Sequence, residues 1–162
     1  MASNQDDQPE AKRAKGFQIS LKGRALRLLS QREHSRFELE RKLKPFEETP
    51  GELAKALDFL QSKDFINEQR VVESVVNRRS AKLGASRVRQ ELQAKGLPVE
   101  AIAEAVQAMR STELARAREV WRKKFDESPA DQAARVKQVR FLVSRGFAPE
   151  VVRKVVAGSD DD

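Results

Sequence analysis

The chain has 162 residues, of which 39% are apolar, 35% charged and 6% aromatic, with 32 Lys/Arg against 25 Asp/Glu and a net charge of +7. That length suits one domain, or a row of small units, burying roughly two-thirds of its surface on folding. No run approaches the roughly 18 apolar residues of a membrane helix, MASNQDDQPE at the start lacks a signal-peptide core, and without cysteine there are no disulfides or thiolate metal sites.

In chain order, residues 1–16 show no hydrophobic periodicity and are expected to form a disordered tail. From Leu21 to Val156 apolar residues recur at helical spacing, and no stretch alternates as a strand does. Three leucines, Leu43, Leu92 and Leu142, anchor a repeat of 49 and 50 residues. Ten residues beyond them stand Leu53, Ile102 and Val152, and fourteen beyond stand Leu57, Val106 and Val156. A proline follows each anchor, at Pro50, Pro98 and Pro149, and a glycine follows the second and third, at Gly96 and Gly146. Proline is tolerated in a first helical turn, and glycine past a helix end closes it in left-handed geometry. Each copy therefore reads as helix, stop, proline, helix, with a further helix ahead of it near 20–32, 67–82 and 112–126.

The predicted fold is all-α: three tandem three-helix repeats over 17–66, 67–111 and 112–157, stacked as an elongated curved array, with an acidic disordered tail at 158–162. SRFE at 35–38 and TPGE at 49–52 fit a capping box, and SPAD at 128–131 fits a serine cap with proline in the first turn. Trp121 and Phe125, four residues apart, read as core between repeats.

Charge is unevenly placed. Residues 11–46 hold 11 Lys/Arg against 3 Asp/Glu, a balance of +8, whereas 47–68 hold 2 against 6, or −4. Residues 70–95 hold 7 against 2 and 113–154 hold 11 against 6, each +5. Such a distribution favours polyanions or an acidic protein surface; the plain alternative is that the cations solvate helices. In the second copy Ala85, Val88 and Leu92 form the stripe to be buried, and Arg87 and Arg89 lie about 100° to either side. Lys95 and Arg145 suit helix C-termini, which leaves Arg87 and Arg89 unexplained unless Glu91, four residues on, pairs with Arg87.

Nothing in the sequence assembles a catalytic set. The single histidine, His34, stands before the Ser35 cap and reads as an exposed loop residue. The acidic pairs Glu47–Glu48 and Asp126–Glu127 lack histidine partners for a metal, and no phosphate-binding glycine loop occurs. No enzyme activity, metal or cofactor is expected. With eight Phe, one Trp and no Tyr, most of them needed for core, the capacity to stack single-stranded bases is poor.

The stretch FINEQRVVESVVNRRSAKLGASRVRQELQAKGL, Phe65–Leu97, resembles the RecX family of bacterial regulators of the RecA recombinase. So do SRFELERKL (Ser35–Leu43) in the first copy and VWRKKF (Val120–Phe125) with KQVRFLVSRGF (Lys137–Phe147) in the third. The chain departs from the family pattern at Asn67, Val71, Val72 and Phe125, and its first copy has KPFEETP in place of a glycine stop. The resemblance implies a modular helical protein that binds in the groove of the RecA–single-stranded-DNA filament. It also implies suppression of ATP hydrolysis, strand exchange and stimulated repressor self-cleavage, a role in DNA repair, recombination and the SOS response. The candidate contacts, chosen for their place beside the buried stripe, are Arg87, Arg89 and Lys95, flanked by Arg36, Lys42, Arg140 and Arg145. The expected protein is cytoplasmic and monomeric, with weak single- or double-stranded DNA contact and none with a membrane. The competing reading is an independent DNA-binding protein of tandem helix-turn-helix-like units.

Overall fold

The computed structural model describes residues 18–158, and every regular element among them is helical. The first repeat holds α1 (Leu21–Gln31), α2 (Arg36–Leu43) and α3 (Glu52–Ser62). The second holds α4 (Glu68–Arg79), α5 (Ala85–Ala94) and α6 (Val99–Arg110), and the third α7 (Glu113–Lys124), α8 (Gln132–Ser144) and α9 (Pro149–Ala157). The tails expected at 1–16 and 158–162 lie outside the described residues, apart from Gly158, which closes α9 at φ 72°.

The repeat pattern is a pattern of burial. Leu43, Leu92 and Leu142 are at most 2% exposed, and the six aligned positions ten and fourteen residues later are at most 6% exposed. The prolines act less uniformly: Pro149 opens α9, Pro98 caps α6, and Pro50 lies in the turn before Gly51, the residue that caps α3. Gly96 and Gly146 take the expected left-handed conformation, at φ 65° and 89°.

Contacts divide the chain into two compact units, residues 18–34 with 39–66, and residues 35–38 with 67–158. In the first, Leu21 and Ala25 of α1 pack with Leu39 and Leu43 of α2 and with Leu53, Leu57 and Leu60 of α3. Ser20 caps α1 by accepting from the Gly23 amide at 3.0 Å. A single 3-10 turn, Lys44–Phe46, leads from α2 into the α3 loop. Here the capping box forms only in part: Glu52 reaches back to the Thr49 amide at 3.5 Å. The acceptor inside the first turn comes instead from Glu47, whose Oε2 accepts from the Leu53 amide at 2.9 Å. Gly51, at φ 89°, turns the chain into the helix two residues later than Thr49 would.

His34 is not an exposed loop residue; it is 1% exposed. Its Nδ1 lies 3.0 Å from the Arg32 carbonyl oxygen and its Nε2 lies 3.1 Å from Lys42 Nζ. Both ring nitrogens thus have partners, which is what makes burial of an imidazole tolerable.

The second unit contains the first turn of α2, where the capping box is complete: the Glu38 amide donates to Ser35 Oγ and the Ser35 amide to Glu38 Oε1, each at 3.1 Å. Ser35 Oγ also donates to the Lys95 carbonyl at 2.6 Å. At the equivalent contact between the second and third repeats, backbone amides take the place of the serine hydroxyl. The Gly84 amide donates to the Arg145 carbonyl at 2.8 Å and the Ser86 amide to that of Gly146 at 3.3 Å. Between them, the Ala85 amide donates to Glu113 Oε1 at 2.7 Å. A Cβ on Gly84 would lie 2.3 Å from the Gly146 oxygen, and one on Gly146 would lie 2.6 Å from the Arg87 nitrogen, so no side chain fits at either glycine.

Two expectations fail in the third repeat. Helix α8 starts at Gln132, capped by Asp131, whose carboxylate accepts from the Ala134 amide at 2.8 Å; Ser128 does not cap it. A carboxylate is at least as good an N-cap as a hydroxyl, and this one stands three residues nearer the apolar run. Trp121 and Phe125 pack within the repeat, not between repeats. The indole donates to Gln138 at 2.9 Å, and Phe125 meets Phe141 edge-to-face at 5.4 Å.

Gly51 and Gly146 share φ 89°, yet a Cβ on Gly51 meets nothing within 4 Å. Gly51→Ala should therefore lose only backbone strain, about 1–2 kcal/mol, whereas Gly146→Ala should lose clearly more, read by urea unfolding followed by circular dichroism. Equal losses would mean that the contact at Gly146 contributes nothing. The hydrogen bond from Lys44, then that from the Leu53 amide, holds the Glu47 carboxyl below the ordinary 4.5. A carboxyl lowered in the folded state stabilises above the ordinary value and loses that contribution as pH falls through the lowered one. Glu47→Gln should accordingly flatten the loss of stability that the wild type shows as pH falls below the ordinary 4.5, measured by unfolding at each pH.

Candidate partner-binding surface

Six of the seven candidate cations belong to the second unit; Lys42 belongs to the first, where its ammonium meets His34. Arg36, in the first turn of α2, is half-buried. The three on α5 have different surroundings. Arg87 donates from Nη1 to the Ser144 carbonyl at 3.2 Å, and its stem lies against Gly146. Lys95 is largely withdrawn from solvent: its ammonium is 3.4 Å from Glu38 Oε1, and both side chains are 12% exposed. Arg89 is exposed and has no hydrogen bond, ion pair or ring contact among the described residues.

On α8, Arg140 is likewise exposed and unpartnered among the described residues. Arg145 caps the helix, and its guanidinium lies 4.9 Å from the centre of the Phe141 ring, a favourable cation–π arrangement. The structure thus brings Arg87 beside the C-terminus of α8 and leaves Arg89 and Arg140 exposed. Glu91 does not pair with Arg87; it lies 3.3 Å from Arg79 and 4.0 Å from Arg78. The helix α4 that lines up beside α5 supplies nearer cations than the i, i+4 position does.

Two residues that fix this surface carried no signal in the sequence. Glu113, at the start of α7, is 4% exposed and supplies the acceptor for the first turn of α5. Arg116, one turn later, donates from Nη1 to the carbonyls of Ser80 at 2.8 Å and Leu83 at 2.7 Å. It also donates from Nη2 to that of Met109 at 2.9 Å and from Nε to Thr112 Oγ1 at 3.1 Å. One guanidinium therefore satisfies the carbonyl ends of both α4 and α6, where helix dipoles favour a cation. Burial pushes its pKa down, and the neighbouring Glu113 carboxylate opposes that shift. Spacing alone shows both residues as ordinary members of a charged helix, because the Ala85 amide and the Ser80 and Leu83 carbonyls that they meet are 28 to 36 residues away.

Among the described residues no three His, Cys, Asp or Glu side chains come together to hold a metal, and no helix is long and apolar enough to cross a membrane. Among the described residues the architecture is all-helical, three three-helix domains in tandem.

Models of the first, second and third three-helix domains of RecX match residues 22–61, 67–106 and 111–156. A regulatory protein RecX from Leptothrix cholodnii is 50% identical over 145 residues, spanning 90% of this chain and 92% of that protein. Another from Ralstonia nicotianae is 45% identical over 142 residues, spanning 88% and 89%. The chain belongs to the RecX family. Its fold matches the crystal structure of a regulatory protein RecX with a TM-score of 0.69 at 19% identity, covering 95% of this chain and 80% of that one. It also matches that of RecX from Lactobacillus salivarius with a TM-score of 0.66, again at 19% identity, covering 86% and 94%.

Arg116→Ala removes the donor from the Ser80, Leu83 and Met109 carbonyls and should destabilise the second unit by about 1–3 kcal/mol. Arg116→Lys should recover only part of this, since an ammonium lacks the planar fork that reaches several acceptors. Urea unfolding of the two variants measures the difference, and full recovery by lysine would show that charge alone suffices.

Proposed function

We propose that this protein is a noncatalytic regulator that docks on the RecA–single-stranded-DNA filament. Docking restrains ATP hydrolysis, strand exchange and stimulated repressor cleavage. It works in the cytoplasm as a monomer, without metal or cofactor, and the modules 17–66, 67–111 and 112–157 each contribute contacts. The observation that carries this reading is the pair Arg89 and Arg140. They are exposed and unpartnered on corresponding helices of two repeats, in a chain of the RecX family. Arginine in that state is suited to bidentate recognition of carboxylate or phosphate. Arg87 and Arg145 belong to the α5–α8 joint. A regulator of this kind needs no chemistry of its own, because it acts by binding one state of its partner more tightly than another.

The double variant Arg89→Glu with Arg140→Glu should keep its helicity and lose inhibition of single-stranded-DNA-dependent ATP hydrolysis by RecA, with the inhibitory concentration rising roughly tenfold or more. Unchanged inhibition by a folded double variant would remove both residues from the docking surface. Co-sedimentation over a salt series separates this reading from independent DNA binding. Retention on bare DNA should be weak and collapse steeply with salt, while retention on the filament should be tighter throughout. Equal retention on bare DNA and filament would favour the DNA-binding reading.

A further inference from the structure

Beside Arg89 the second unit has a cleft of about 350 Å³, bounded by α5, the end of α6 and the start of α9. Ala85, Val106 and Val151 supply apolar lining, and Arg89, Arg110 and Glu150 stand exposed around it. Arg110 occupies the last turn of α6 and, like Arg89, has no hydrogen bond, ion pair or ring contact among the described residues. Two guanidiniums without partners thus share one partly apolar recess. The N-terminus of α5 borders the same recess but has no amide to offer there. Those of Gly84, Ala85 and Ser86 already donate to the Arg145 carbonyl, Glu113 and the Gly146 carbonyl. Glu113 is likewise engaged, by the Ala85 amide and by the nearby charge of Arg116.

We infer that this cleft receives a carboxylate side chain of an acidic peptide segment, with Arg89 and Arg110 as its two anchors. A carboxylate matches the guanidinium fork, and the apolar lining takes the aliphatic stem or a neighbouring aliphatic side chain. Glu150 decides against a nucleic acid. An exposed carboxylate at the rim repels a continuous phosphate backbone, whereas a peptide carries amide N–H groups that can donate to it. The inference rests on the docking reading above only for the identity of the protein that carries the peptide.

Fluorescence anisotropy with a labelled octapeptide of alternating Glu and Leu tests this, against its Lys–Leu counterpart and a labelled oligothymidine. The wild type should bind the acidic peptide saturably, and Arg110→Glu should weaken it roughly tenfold or more. Glu150→Gln should bind the peptide as well as the wild type or better, and Arg110→Glu should leave oligothymidine binding unchanged. Arg110→Gln serves in place of the reversal if circular dichroism shows that the latter does not fold. No saturable binding by the wild type, or equal peptide binding by wild type and Arg110 variants, overturns the assignment. So does a loss of oligothymidine binding as large as the loss of peptide. A wild type that binds the peptide but fails to co-sediment with the RecA filament would sink the function proposed above and leave the cleft assignment standing.

Discussion

The second unit depends on one close contact, in which the end of one helix meets the beginning of another with no side chain between them. Gly84 and Gly146 bring the start of α5 against the end of α8 so closely that a methyl group on either would meet backbone at 2.3 to 2.6 Å. Helix ends leave amides and carbonyls without intrahelical partners, and burying such groups unpaired is costly. Here the two ends satisfy each other: carbonyls of Arg145 and Gly146 accept from amides at the start of α5. The dipoles also run head to tail, with the negative end of α8 against the positive end of α5. Glu113 and Arg116 complete the joint by serving the ends that the glycines leave unserved.

The same geometry recurs at the first turn of α2, with the difference that a side chain takes part. Ser35 Oγ donates to the Lys95 carbonyl where the Gly84 amide donates to that of Arg145. A Cβ on Gly96 would lie 2.5 Å from the Phe37 ring. The stop glycines of the second and third copies thus do more than end a helix in left-handed geometry: each also admits residues belonging to the preceding repeat. The second helix of the first copy ends in KPFEETP without a glycine.

A net charge of +7 overstates how much positive charge is on offer to a partner. Lys95 is held by Glu38 in a half-buried pair, Arg116 is turned inward onto carbonyls, and Arg79 and Arg122 meet Glu91 and Glu119. Among the cations of the second unit left without a partner, Arg89 and Arg110 stand around one cleft and Arg140 lies on α8; Lys82, Lys123, Arg135, Lys137, Arg153 and Lys154 are exposed as well. The joint fixes the helix backbones that carry Arg89 and Arg140, while their exposed side chains keep rotamer freedom that binding would cost.

The sequence by itself determined the helices, their grouping in threes and the buried register. Leu43, Leu92 and Leu142 and their followers mark the core because burial must recur at helical spacing on one face of each helix. It also determined the glycine stops and the complete cap at Ser35, since these depend on neighbours within four residues. Tertiary structure alone decided which cations are structural. It buried His34 between a carbonyl and Lys42, drew Lys95 onto Glu38 and Glu91 onto Arg79, and gave Glu113 and Arg116 their tasks. Those outcomes turn on partners brought together by folding from up to 57 residues away, and neither periodicity nor composition carries information about which distant polar groups will meet.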